Sequence, residues 1–149
     1  MSEENYMDQF DDPEDFIRHQ LLANGYCSDT LTKKEMYHLI KDNNIEFQLS
    51  KGVIEYTKKK DMLDALLTKL SYRDLADYVG VLRKSFCMKF NITIDEFNIL
   101  VANDLIHKSG SFITVRNPYK TNATWSKWCW YNVYDYFELT DEIIHRSLN

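Results

Sequence analysis

Four histidines (His19, His38, His107 and His145) and three cysteines (Cys27, Cys87 and Cys129) are the side chains that could hold a metal or attack a substrate. None stands at ligand spacing from another, so no zinc pattern forms. Cys87 adjoins Met88 and Lys89, and a basic neighbour can lower a thiol pKa. A lone cysteine without a partner histidine is nevertheless ordinarily a packing residue. Asp11 and Asp12 fall in a polar stretch too loosely held for general acid–base work. The sequence contains no phosphate-cradling glycine loop and no His-Glu-x-x-His. It therefore points to a non-enzyme, with no cofactor and no metal.

The chemistry that remains is that of charge and aromatic rings. The net charge is −5, but it is unevenly spread. Residues 1–17 carry seven acids and no base, residues 131–149 are net −3, and the middle is left at +5. Local charge, rather than the total, sets attraction to phosphate. Within the basic middle, Lys58, Lys59 and Lys60 form a run, and Arg83, Lys84 and Lys89 surround Met88. Trp125 to Leu139 is crowded with rings that could stack on bases or pack in a core.

The elements that must position these groups follow from pattern. Asp12 caps a helix opened by Pro13 that runs through Phe16, Ile17, Gln20 and Leu21 and stops before Gly25. Thr32 and Glu35 form a capping box for a helix ending near Asn43–Asn44. Ile45–Tyr56 reads as extended with a turn at Gly52. Thr57 then caps a helix running to Leu70. Tyr72–Phe90 reads as two helices around Gly80, where a turn requires positive φ or a close approach. In the second of these, Phe86 and Phe90 face the core and Arg83, Lys84, Cys87 and Met88 face out. Thr93 and Glu96 box another helix, ending near Asn103–Asp104. Ile106–Val115 reads as strands around Lys108-Ser109-Gly110, Trp128–Phe137 as a further strand, and Thr140 opens a last helix. The fold class is mainly α with a small antiparallel β-sheet (α+β). The expected organisation is an acidic flexible tail at 1–12, a helical region at 13–70 and a second region at 71–149. No apolar run approaches the roughly twenty residues that span a bilayer. The acidic N-terminus does not read as a signal peptide, so a cytoplasmic protein without membrane contact is expected.

Tyr72–Phe90, with Ala76, Gly80, Phe86 and Phe90 at set offsets, resembles a helix-turn-helix DNA-binding unit. With the helix after Thr93 and the hairpin as wing, residues 72–115 are similar to a winged helix. An ordinary helical hairpin with a glycine turn is the competing reading. Residues 31–70, helix, extended loop and helix with a lysine run, are similar to the SAP and HeH modules. The resemblances imply a DNA-binding regulator using Arg83, Lys84, Met88, Lys89, Lys58, Lys59, Lys60 and, on the wing, Lys108. Helix-turn-helix proteins are often homodimers, although no dedicated dimer helix stands out. The alternative is a small acidic inhibitor or adaptor, of the kind found on phages and other mobile elements. It would bind a protein partner through Tyr6, Phe10, Trp125, Trp128 and Tyr131.

Overall fold

A computed structural model describes residues 4–22, 31–116 and 125–149, with side chains described outside 110–129. As expected, the described residues are mainly helical with one two-stranded antiparallel sheet. The first helix, α1 (Pro13–Leu22), starts where the Asp12 carboxylate accepts the Asp15 N–H at 2.7 Å, and it buries Phe16, Ile17, Gln20 and Leu21. Gly25 and Cys27 lie outside the described residues. The second, α2 (Lys33–Asp42), opens on the Thr32–Glu35 capping box and ends where Asn44 takes a φ of 54°. Both boundaries are local devices in which side chains satisfy orphan backbone groups.

Among the described residues, 45–57 have no sheet partner. Ile45, Phe47 and Leu49 are half-buried while Glu46 and Gln48 are exposed, so the alternation marks a one-sided extended segment. Two short 3-10 turns follow, Ser50–Gly52 and Ile54–Tyr56, with Lys51 at φ 53° and Gly52 at φ 71°. Thr57 does not cap the next helix. Its buried hydroxyl accepts the Ser50 N–H at 2.9 Å and donates to the Val53 carbonyl at 3.0 Å, closing the loop on itself. Helix α3 (Lys59–Leu66) therefore starts without a side-chain cap and is shorter than its apolar pattern suggests.

Helix α4 (Tyr72–Leu75) is a single turn on a Ser71–Asp74 capping box, extended by a 3-10 turn over Ala76–Tyr78. Gly80 then differs from a positive-φ turn. Its φ is not positive, it follows the extended Val79, and Val81 beyond it exchanges two backbone hydrogen bonds with Tyr131, at 2.8 and 2.9 Å. Close approach is what Gly80 supplies: a Cβ there would lie 2.1 Å from the Trp130 Cβ. Helix α5 (Arg83–Phe90) ends at Asn91, which is left-handed at φ 52°, and α6 (Ile94–Ala102) starts on the Thr93–Glu96 box.

The sheet pairs β1 (Lys108–Arg116) with β2 (Trp125–Tyr131). Lys108-Ser109-Gly110 is not the reversal but part of β1, where the register is irregular between Lys108 and Phe112. The aromatic strand also ends earlier than Phe137. Asn132 accepts the N–H groups of Tyr134 and Asp135 and so caps α7 (Val133–Glu138), which puts Val133, Tyr134 and Tyr136 into the core. Helix α8 (Asp141–Leu148), capped by Thr140, packs Ile144 inward and lies against α6.

One apolar cluster joins all of these, with α1 in contact with α3, α4 and α7. The segment expected to be a flexible tail belongs to it. Met7 and Phe10 are buried, and Asn5 donates from Nδ2 to the Ser85 carbonyl at 3.1 Å and to the Tyr136 hydroxyl at 2.9 Å. Three docked residues outweigh the acidic composition that suggested disorder.

Candidate nucleic-acid interface

Helix α5 is oriented as its periodicity implies. Phe86 and Phe90 are buried, Arg83 and Lys84 are exposed, and Cys87 and Met88 are half-buried. Phe86 sits among Phe97, Tyr136 and Tyr131, with ring centroids 5.6, 5.2 and 6.3 Å away. Lys89, although exposed, has contacts within the chain. Its ammonium donates to the Tyr136 carbonyl in the last turn of α7 and lies 4.4 Å from the Tyr136 ring and 5.0 Å from that of Phe90. Cation–π contact and a helix C-terminus both favour that charge, while burial pushes the Lys89 pKa down. It is placed to hold α5 against α7. Burial pushes the Cys87 thiol pKa up, with Arg83 pulling the other way, which is the reverse of nucleophile activation.

The helices joined by a three-residue turn, Asn91 to Thr93, are α5 and α6. In a helix-turn-helix the second helix of such a pair reads the groove. Here that helix carries Asp95 and Glu96 and no base. Its outer face consists of Ile94, Asp95, Asn98, Ile99 and Ala102, with Ile94 51% and Ile99 47% exposed. Arg83 and Lys84 stand instead at the start of the first helix. Lys108 is exposed at the start of β1, next to His107, whose Nδ1 lies 2.9 Å from the Asp135 carboxylate.

The lysine run is differently placed. Lys58 and Lys60 are exposed and Lys59 is half-buried. Lys33, in the first turn of α2, donates from Nζ to the Glu55 carbonyl at 3.1 Å. That contact sets the start of α2 beside the loop leading into α3. Lys51 lies with its ammonium 5.5 Å from the centre of the Tyr56 ring, and Tyr56 is 66% exposed. Lys33, Lys51 and Tyr56 escaped the sequence reading. The signal for the last two was a Lys-Gly pair at 51–52 and a tyrosine four residues after the glycine, just ahead of the lysine run.

Of the residues expected to meet a protein partner, Tyr6 and Phe10 stand edge-on to each other, with ring centroids 5.4 Å apart, and Tyr131 closes β2. Tyr6 is half exposed, with its hydroxyl 2.9 Å from the Gln20 amide. Phe10 is in the core, edge-on to Phe16 at 5.1 Å. Tyr131 is half-buried, edge-on to Phe97 at 4.8 Å. Both rings serve packing because apolar neighbours surround them. The side chains of Trp125, Trp128 and Cys129 lie outside the described residues. Among the described residues, no group of three or more His, Cys, Asp or Glu side chains could hold a metal, and no helix is long and apolar enough to cross a membrane. The chain matches no protein-family model, no curated protein and no solved structure.

Proposed function

We propose that this chain is a non-enzymatic nucleic-acid-binding regulator whose phosphate contacts come chiefly from the end where α2 and α3 begin. One observation carries the reading. The bond from Lys33 to the Glu55 carbonyl joins two short stretches, 33–35 and 51–61, that hold six lysines against Glu35, Glu55 and Asp61. A local excess of lysines attracts a polyanion even when the whole chain is acidic. The resemblance of residues 31–70 to SAP and HeH modules supports the same end. Helix α6, with two acids and no base, would repel phosphate, so Arg83 and Lys84 act as flanking contacts. The test is binding of labelled DNA, single-stranded and duplex, from about 50 to 200 mM salt, where counterion release predicts a steep fall in affinity. Absence of binding at the lowest salt would sink the reading.

The outer face of α6 favours a second reading. Exposed Ile94 and Ile99 beside Asp95 suit a protein surface better than a groove. An inhibitor or adaptor would use that face, and Ile94→Lys with Ile99→Lys would abolish partner binding while leaving DNA binding intact.

A further inference from the structure

Resting on the nucleic-acid reading above, we infer that the ligand of the α2–α3 end is a single strand, one of whose unpaired bases stacks on Tyr56. Among the described residues, Tyr56 is the most exposed of the large apolar side chains, at 66%. Its ring makes no contribution to the core, so packing gives no reason for an aromatic there. The loop that carries it is nevertheless firmly held. The Thr57 hydroxyl, with Thr57 only 1% exposed, ties Ser50 to Val53, and Lys33 holds the Glu55 carbonyl. A ring presented by a pre-ordered loop loses little entropy on stacking. Lysines flank it in both directions: Lys51 over the ring, Lys58 two residues on, and Lys33 beside Glu55. This is the pairing of a stacking platform with cations along a backbone path that single strands require. A duplex offers its phosphates to the same lysines but keeps its base faces stacked, so only an unpaired base can use the ring.

The experiment measures fluorescence anisotropy of two labelled probes at low salt, an oligothymidylate of roughly 12 nucleotides and a duplex of the same length, a size within ordinary single-strand sites. The full chain should bind the single strand more tightly than the duplex. Tyr56→Ala should weaken single-strand binding about 10-fold and leave duplex binding unchanged, whereas Tyr56→Phe, which keeps the ring, should bind both probes as the unsubstituted chain does. Unaltered circular dichroism of both variants shows that the fold is retained, as an exposed ring implies. Equal affinity for the two probes overturns the single-strand assignment but leaves nucleic-acid binding standing. So does a Tyr56→Ala variant that loses neither probe or both alike, or a Tyr56→Phe variant as weak as Tyr56→Ala. Failure of the unsubstituted chain to bind either probe overturns the inference and the function together.

Discussion

Gly80 and Trp130 meet so closely that no side chain fits between them: an added Cβ would stand 2.1 Å from the Trp130 Cβ and 3.2 Å from its Cα. These atoms sit at the root of the side chain, so the indole cannot swing away to make room. The backbone at 80–81 is also tied to the end of β2 through the Val81–Tyr131 bonds. Gly80→Ala should therefore destabilise by about 1–3 kcal/mol, the usual range for overpacking. Urea denaturation measures it, and an unchanged midpoint would contradict the contact.

Tyr136 gives the chain an alkaline limit. Burial raises its pKa to about 12, partly opposed by the hydrogen bond from Asn5. The unfolded value is near 10, so the folded state holds the proton more tightly. The resulting stability is complete below about pH 10 and is lost as pH rises towards 12, roughly 2–3 kcal/mol in all. Stability measured from pH 9 to 12 should fall. The fall should be shallower in Tyr136→Phe, though not flat, because burial raises the Tyr134 pKa too.

Charge reversal separates the two basic regions. Lys58→Glu with Lys60→Glu should weaken nucleic-acid binding strongly and lower the slope of log affinity against log salt by roughly one or more. Arg83→Glu with Lys84→Glu should do less. The opposite ranking in a salt titration would return the contact surface to α5.

Thr57→Val removes the hydroxyl that closes residues 50–57 and leaves the Ser50 N–H and Val53 carbonyl without it. Loss of about 1–3 kcal/mol is expected, recovered in large part by Thr57→Ser. Thermal melts of the pair check this.

Local grammar was readable without a structure. The boxes at Thr32–Glu35 and Thr93–Glu96 and the Asp12 cap appear where residue type and spacing put them, because each is settled within four residues. Residues 133–137 read as strand because their aromatics favour extended chain, whereas one Asn132 side chain caps them into α7. Gly80 was recognisable as exceptional, but its reason lies 50 positions away at Trp130. The same division holds at the candidate site. The run Lys58–Lys60 is visible in one dimension, whereas the placement of Lys33 beside Glu55 needs the fold, as does the contact of Lys89 with the Tyr136 carbonyl.

The anchoring of Asn5 has a consequence for the order of assembly. Its amide is held by Ser85 and Tyr136, which lie 80 and 131 residues further along the chain. Synthesis runs from the N-terminus, so Asn5 leaves the ribosome long before either acceptor exists. Until Tyr136 emerges, the Asn5 amide lacks one of its two acceptors, although Tyr6 and Phe10 already have Gln20 and Phe16 beside them. The seating of Asn5 therefore belongs to the end of folding, and it reports that α5 and α7 have come together.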